Sequence, residues 1–408
     1  MTRLTQRFRV VCLGLSLFSC IQAVGQQPQS PTNGSSILPI EQIKKTVVFL
    51  HGTYVDDKIT KGWDGTGFCI YQPDPRLKDR GITWLVTNKH MIRQPSSGKS
   101  AGPFFKEVTI RVNTVAPNRG GLEYTEFSVP VTDGAGNLLW CVHPDETVDL
   151  AALRIGIDED LLDVKAVPTD QFAIPEQFKV LNISENDDVL FAGLFPSYHG
   201  LRRNIPIVRH GKLALLTDER IPIRFSNGTV SEDVILAEVT AFGGNSGSPV
   251  FLRLGGIREG SFPAAGFSYY LLGVMQGCFN QGTEFSIRSP EVVKGFVAEN
   301  TGIAAVVPSR KILEILDTPR AKAQTMLVIA NDYSNRGKLA EAEQLYNNAL
   351  SMSETAVGPY HPEVAEILEA YSMCLQKQNR TMEAFLNRQR AQEIRNKISR
   401  NSKRHLSH

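Results

Sequence analysis

The chain lacks any large excess of charge of one sign. Its 408 residues include 44 Lys and Arg against 42 Asp and Glu, a formal net charge of +2 at pH 7. Proteins that attract nucleic acid or anionic membranes through their overall field carry a clear positive excess. We therefore expect no nucleic acid as a partner.

Cysteine is scarce, and no two cysteines form a C-x-x-C pair. Of the six present, four follow the N-terminal segment and are far apart: Cys69, Cys141, Cys278 and Cys374. Structural zinc sites use paired spacing, so we expect no metal. We expect these side chains to be mostly buried and apolar in character, although an exported location would permit disulfides.

Long apolar runs are missing except near the N-terminus. There, three arginines precede an apolar run at 10–17 and small residues at 23–25. The run is shorter than the roughly 18 to 20 residues that span a bilayer, and the order is typical of a cleaved signal. We predict a signal peptide at 1–25 and a periplasmic or secreted protein with no stable membrane span after cleavage. A single anchor and lipidation at Cys20 are the alternatives.

The remaining chain divides by composition. Residues 26–45 begin rich in Gln, Pro, Ser and Asn, and we interpret them as a flexible linker. Residues 46–317 hold short apolar or alternating runs separated by Gly, Pro, Asn and Asp, which predicts an all-β domain.

Residues 318–408 have the spacing of amphipathic helices, which predicts a small all-α domain. Ala342 recurs 42 residues later as Ala384, so the segment contains a repeat. Gly337 and Asn379 fall in the turns of the two copies, where a left-handed backbone is tolerated.

The stretch GGNSGSP at 243–249 has the residue types of a nucleophile loop. A serine hydroxyl needs a base and a site that stabilises the oxyanion formed on attack. Flanking glycines permit a tight turn that directs the amides of Gly244 and Ser246 toward one point. We predict Ser246 as nucleophile and these amides as the oxyanion hole. The alternative is a glycine-rich hairpin with an incidental serine.

The stretch WLVTNKH at 84–90 ends on a histidine where a predicted strand gives way to a loop. A neutral imidazole there can accept the serine proton and later deliver it to the leaving group, so we predict His90 as general acid and base. A structural role is the alternative. Four other histidines lack a comparable local frame: His51, His143, His199 and His210.

Asp149 stands at the head of the apolar run in TVDLAAL, residues 147–153. Burial of a carboxylate is costly unless it is hydrogen-bonded, and an imidazole would supply that bond. We predict Asp149 as the group that orients His90, with a strand-start or helix-cap aspartate as the alternative.

These motifs resemble those of trypsin-like serine peptidases, nearest to the bacterial HtrA and glutamyl-endopeptidase branches. The similar stretches are GTGF at 65–68, VTNKH at 86–90, VDLA at 148–151, GNSGSPVF at 244–251 and GIAAVVPS at 302–309. The resemblance covers residues 46–317. It implies two six-stranded β-barrels with a cleft between them and hydrolysis of a polypeptide substrate through an acyl-enzyme, without a cofactor.

Three positions differ from those of better-known members of the family that the chain resembles, one in the activation of zymogens and two in the choice of cleavage site. Asn245 stands where activatable zymogens carry an aspartate, Thr240 where enzymes that cut after Lys or Arg carry one, and Met275 where glutamyl endopeptidases carry a histidine. We expect a small or medium aliphatic residue before the scissile bond. The predicted primary pocket consists of Thr240, Ala241, Gly273, Val274 and Met275.

The tail resembles tetratricopeptide repeats of the kinesin-light-chain type at GKLAEAEQLY, 337–346, and GPYHPEVA, 358–365. Fewer than two full repeats are visible, and such arrays usually need about three. The helices are therefore expected to dock on the peptidase, associate with a second copy, or bind a protein partner. A helical cap without a ligand is the alternative.

Our leading hypothesis is an exported serine endopeptidase. The first rival is a catalytically silent scaffold of the same fold that recruits partner proteins through its repeats. The second is an esterase with the same three residues, which the strand-rich composition and the absence of a G-x-S-x-G elbow argue against.

Overall fold

The computed structural model describes residues 40–56, 59–77, 80–95, 102–225, 228–255, 267–288 and 292–405. The predicted signal peptide and Cys20 lie outside these residues. The first element, α1 (Ile40–Thr46), is a short helix whose Ile43 side chain is completely buried in the core. The predicted linker therefore cannot extend to residue 45, because α1 already belongs to the folded domain.

The first half of the β domain is an eight-stranded sheet. Its strands are β1 (Val47–Asp56), β2 (Ile59–Pro73), β3 (Gly81–Thr87), β4 (Glu107–Asn113), β5 (Tyr124–Pro130), β6 (Cys141–Val142), β7 (Ala151–Ile155) and β8 (Val167–Pro168). The order is β5-β4-β1-β2-β3-β7-β6, with β8 beside β2. The Leu139 amide donates to the Val131 carbonyl over 2.8 Å, and a bridge joins Thr132 to Leu138. The sheet is thus rolled, and its two edges are joined by these few bonds. A barrel of six fully paired strands was expected for this half.

The second half contains a closed barrel. Its strands are β9 (Asp188–Gly193), β10 (Ile207–Leu215), β11 (Ile221–Phe225), β12 (Gly228–Glu232), β13 (Ile235–Glu238), β14 (Pro249–Gly255), β15 (Phe267–Arg288) and β16 (Val292–Pro308). Six of them close in the order β10-β13-β16-β15-β14-β9, while β11 and β12 form a separate hairpin.

Strand β14 buries both of its faces. Val250, Leu252 and Leu254 alternate along it and share one core cluster with the other barrel strands. Phe251, between them, points the other way into a second cluster that also contains Phe68 of the first sheet. An apolar core therefore joins the two halves and fixes the boundary along which a cleft can form.

The helices are α2 (Pro175–Val180), α3 (Arg310–Leu316), α4 (Pro319–Asn335), α5 (Leu339–Val357), α6 (Pro362–Lys377) and α7 (Thr381–His405). The last four form two complete antiparallel hairpins, so the repeat is fuller than its sequence pattern indicated. Gly337 and Asn379 occupy the two turns at φ of 79° and 61°, which confirms the left-handed positions expected there.

The helical domain docks on the β domain. The Arg320 guanidinium pairs with Glu363 at 2.6 Å and donates to the carbonyls of Leu138 at 2.7 Å and Trp140 at 2.8 Å. Ala321 and Ile329 of α4 share a core cluster with the β strands. Of the three arrangements expected for the repeats, the structure shows docking on the β domain.

The four cysteines in the described residues are free thiols, and Cys69, Cys141 and Cys374 are buried as expected. Burial raises the pKa of Cys69 and of Cys141 to about 12. None of the helices in the described residues is long and apolar enough to cross a membrane.

Candidate active site

His90 and Asp149 meet because two paired strands end beside each other. Strand β3 pairs with β7, and Thr87, the last residue of β3, lies opposite Ala151, the first of β7. His90 follows β3 in a short 3-10 turn, and Asp149 lies two residues before the start of β7. Antiparallel pairing therefore brings two residues that are far apart in sequence to one edge of the first sheet.

The contact between them is bidentate. The His90 backbone amide donates to Oδ1 of Asp149 over 2.9 Å, and Nδ1 of His90 lies 2.5 Å from Oδ2. The Asp149 side chain is 15% exposed and that of His90 is 45% exposed. Because an ionised carboxylate can only accept a hydrogen bond, Nδ1 carries the proton, and the other ring nitrogen of the neutral imidazole, Nε2, is left as an acceptor. This is the tautomer that a general base requires.

Charge and burial act in opposite directions on this pair. Burial would lower the pKa of His90, but the charge of Asp149 and the hydrogen bond to it outweigh burial, so the pKa is raised. Burial would raise the pKa of Asp149, but His90 and the nearby charge of Lys89 hold it below its usual range. Asp149 therefore stays ionised at neutral pH and supports a positive charge on the imidazole.

The Ser246 loop has the backbone shape that its glycines permit. Gly244 and Gly247 have φ of 88° and 85°, and a Cβ on Gly247 would lie 1.9 Å from the Thr66 carbonyl oxygen. Asn245 is almost completely buried, and its side chain donates to the Leu194 carbonyl over 2.7 Å. The side-chain amide of Asn245, at the position where activatable zymogens carry an aspartate, therefore holds the loop through this bond.

The amides predicted to form the oxyanion hole have no partner among the residues that the structure describes. Within the described part of the chain, the amides of Gly244 and Ser246 make no hydrogen bond, whereas the Gly247 amide donates to the Met275 carbonyl over 2.8 Å. Two unpaired amides on either side of one residue can bind a developing negative charge. Their role in an oxyanion hole stays a prediction.

The hydroxyl of Ser246 donates to the Gln276 carbonyl over 3.1 Å. Among the described residues, no hydrogen bond links it to His90. The structure thus contains the half of the predicted triad formed by His90 and Asp149, and the half that joins Ser246 to His90 stays a prediction.

Thr66 joins the two halves of the domain at the Ser246 loop. Its hydroxyl donates to the Gly244 carbonyl over 2.8 Å and accepts from the Leu194 amide over 3.1 Å. Its backbone amide donates to the Ser246 carbonyl over 3.0 Å. The Thr87 hydroxyl, at the end of β3, donates to the Thr66 carbonyl over 2.7 Å. A short chain of bonds therefore connects the strand that leads to His90 with the loop that carries Ser246.

A carboxylate partner does not by itself single out His90. His51 lies 2.6 Å from Asp64, opposite it in the β1 and β2 pairing. His143 lies 2.9 Å from Glu314 of α3. What distinguishes His90 is the bond chain through Thr87 and Thr66 that leads to the Ser246 loop.

The predicted primary pocket is wrong for two of its members. Val274 and Met275 are completely buried and belong to different core clusters on opposite faces of β15. Consecutive strand residues point in opposite directions, so these two side chains cannot line one pocket. Gly273 packs against the Val307 carbonyl, where a Cβ would lie 2.0 Å from the oxygen.

The other two pocket residues also differ from each other. Thr240 is exposed and Ala241 is almost completely buried, with its carbonyl bonded to Asn300 over 2.7 Å. The expected preference for an aliphatic residue therefore loses its structural basis.

Sequence reasoning missed the functional environment of Gln276, Glu232 and Thr66. Gln276 had one weak signal, a polar residue directly after the buried apolar run of β15. Thr66 lies in the quoted GTGF stretch, but no pattern showed that its hydroxyl bonds the nucleophile loop. In the described residues, no group of three or more His, Cys, Asp or Glu is arranged to hold a metal ion.

A rolled sheet, a closed six-stranded barrel and a histidine paired with an aspartate beside a glycine-bounded serine define a peptidase-type domain with an added helical domain. Comparison with known families agrees. Residues 65–257 match the family model described as trypsin-like peptidase domain, and residues 322–397 match the one described as tetratricopeptide repeat. The chain therefore carries a trypsin-like peptidase domain followed by a tetratricopeptide repeat. No curated protein is similar enough to give a match.

Proposed function

We propose that the protein is an exported serine endopeptidase that uses Ser246, His90 and Asp149. The bidentate contact between His90 and Asp149 carries this proposal, because it leaves Nε2 of His90 as an acceptor. His90 follows Thr87 by three residues, and the Thr87 hydroxyl begins the chain of bonds to the Ser246 loop. The proposed mechanism requires the Ser246 hydroxyl to leave the Gln276 carbonyl and to donate to Nε2 of His90 instead.

The reaction would proceed in two halves. Oγ of Ser246 attacks the carbonyl carbon of the scissile peptide bond, and its proton passes to Nε2 of His90. The amides of Gly244 and Ser246 bind the oxyanion, and Asp149 stabilises the imidazolium. His90 then gives the proton to the leaving nitrogen as the C–N bond breaks. Water hydrolyses the resulting ester by the same steps in reverse.

A fluorophosphonate probe tests the nucleophile. We expect it to label the protein lacking residues 1–25 at Ser246, and Ser246→Ala to abolish labelling. Ser184→Ala is the matched control, because Ser184 is exposed and only its backbone is bonded. An absence of labelling, or equal labelling of Ser246→Ala, would contradict the proposal. Cleavage of a peptide library by the same protein would then define its preference.

One observation favours the second candidate, a catalytically silent scaffold. The Ser246 hydroxyl is bonded to the Gln276 carbonyl rather than to a base. A scaffold of this kind would fold normally and bind partner proteins, but would show no serine labelling under any condition.

Export rests on residues 1–25 alone. When the full chain is expressed in a secreting bacterium, we expect a mature N-terminus after residue 25, read by mass spectrometry. A mass that includes lipid on Cys20 would indicate the lipidated alternative, and an uncleaved chain would indicate an anchor.

A further inference from the structure

Gln276 lies in a β-bulge next to the nucleophile loop. The pairing of β15 with β16 shifts register between Met275 and Gly277, which leaves Gln276 without a partner opposite it. The Gln276 carbonyl accepts from the Ser246 hydroxyl, and the Met275 carbonyl accepts from the Gly247 amide. Two consecutive carbonyls of the bulge therefore hold the loop.

Glu232, the last residue of β12, reaches this bulge from a separate hairpin. It is 4% exposed, and its Oε2 accepts from Nε2 of Gln276 over 2.6 Å. Gln276 is 7% exposed, and its Oε1 is buried with no partner among the described residues. A buried carboxylate held by one neutral amide is costly, and an apolar side chain of similar size would cost less. Stability therefore does not explain Glu232.

The charges around Glu232 are those of two predicted catalytic residues and of Lys89, which adjoins His90 in the sequence. The groups that act on it electrostatically are Asp149, Lys89 and His90. Arg220, which precedes the hairpin, is engaged with Asp145 at 2.5 Å. Burial raises the pKa of Glu232 to about 7, with Asp149 adding to the rise and the bond from Gln276 opposing it. The charge of Glu232 in turn helps to raise the pKa of His90.

We propose that Glu232 is a positioning residue for the nucleophile, acting through Gln276 on Ser246 and through its charge on His90, an inference that rests on the proposed peptidase function. Ionised Glu232 accepts from the Gln276 amide and fixes the bulge, whose Met275 carbonyl holds the Gly247 amide and so positions the loop that carries Ser246. Its charge also stabilises the imidazolium that forms when Ser246 loses its proton. Protonated Glu232 lacks this charge, and by donating to Oε1 of a turned Gln276 amide it holds a different arrangement. The rate of attack therefore rises as Glu232 ionises.

The pH dependence of fluorophosphonate labelling tests this in the wild-type protein without residues 1–25. We expect the second-order labelling rate to rise with pH through two ionisations, of His90 and of Glu232. A rise through a single ionisation would overturn the proposal, and this measurement needs no variant to fold.

Glu232→Gln keeps the size and the acceptor oxygen but removes the charge. We expect a single ionisation with its midpoint at lower pH, and a plateau rate lower by roughly 3- to 10-fold, the effect of one unit charge several ångströms away in a partly screened site. Glu238→Gln, on the exposed side of β13, should match the wild type. A Glu232→Gln profile with the wild-type shape would show a merely structural role and overturn the proposal.

Gln276→Met separates the two routes. It keeps the charge of Glu232 but removes the hydrogen bond to it. We expect a lower plateau of the labelling rate, with the ionisation of Glu232 retained but moved to higher pH, because the lost bond had lowered the pKa of Glu232. An unchanged plateau would overturn the route through Gln276. If Ser246 is labelled and these profiles do not change, only this inference fails. If the wild type is not labelled at all, the peptidase function fails with it.

Discussion

The hydroxyl of Thr66 donates to the carbonyl of Gly244 over 2.8 Å, across the boundary between the first sheet and the second barrel. The same hydroxyl accepts from the Leu194 amide, and the Thr66 side chain is completely buried. The Thr66 side chain thus ties the nucleophile loop to the sheet whose strands position His90 and Asp149.

Thr66→Val should therefore lower activity and stability together. It leaves the buried Leu194 amide without an acceptor and the Gly244 carbonyl without this donor, at a cost of about 1 to 3 kcal/mol in the free energy of unfolding. Thr66→Ser keeps the hydroxyl and should retain most of both. Denaturant unfolding and fluorophosphonate labelling measure the effects, and equal behaviour of the two variants would contradict this role.

Gly247→Ala should be among the most destabilising substitutions in the loop. The new methyl group would lie 1.9 Å from the Thr66 carbonyl oxygen at a φ of 85°, so clash and backbone strain add to more than about 2 kcal/mol. Gly243→Ala is the control, because a Cβ there meets nothing within 4 Å. Thermal unfolding should show a large loss for the first and little change for the second.

Asp149→Asn should change the pH profile in a defined direction. The reaction needs a neutral imidazole, and Asp149 raises the pKa of His90, so the acidic limb of the wild-type profile lies at raised pH. The amide removes this effect, so the limb should shift to lower pH, while the plateau falls on the order of 10³- to 10⁴-fold because the tautomer and the imidazolium lose their support. Asp64→Asn, which removes the partner of His51, should leave the limb unchanged.

Arg320→Ala should loosen the helical domain from the peptidase domain. It removes the two bonds to the carbonyls of Leu138 and Trp140 and leaves Glu363, whose side chain is 12% exposed, with the Gln324 amide but without its counter-ion. Removing one partner of a buried ion pair costs about 3 to 5 kcal/mol. Lys322→Ala breaks the exposed pair with Asp317 and should cost at most about 1 kcal/mol. Denaturant unfolding measures both, and equal losses would contradict the importance of the buried contact.

The sequence allowed the local features to be predicted. Two strongly constrained backbone positions, Gly337 and Asn379, lie in the turns expected of them, and the strand that ends before His90 is present. The β domain, the helical domain and their order were predicted because turn residues and apolar periodicity are local patterns that depend only on residues close together in the sequence.

Contacts between distant segments could not be predicted in this way. The bond of Glu232 to Gln276 spans 44 residues and depends on a bulge in β15 that has no sequence signal. The pocket prediction failed because it placed the side chains of Val274 and Met275 on one face. Consecutive residues of a strand point to opposite faces of the sheet. The polar composition ends at residue 39, so structure was expected from about Ile40, but the seven-residue pattern of α1 was too short to be assigned to the β domain.

The docked helices also contribute contacts that the peptidase domain would lose if it were produced alone. Glu366 of α6 lies 2.9 Å from Arg154 of β7, the strand that follows Asp149, and Ala321 and Ile329 complete an apolar cluster of the β domain. A chain shortened at residue 317 would uncover that apolar surface and leave the Arg154 guanidinium without its counter-ion. The tetratricopeptide segment is in this respect part of the packing of the peptidase domain, and labelling assays call for a protein that keeps both domains.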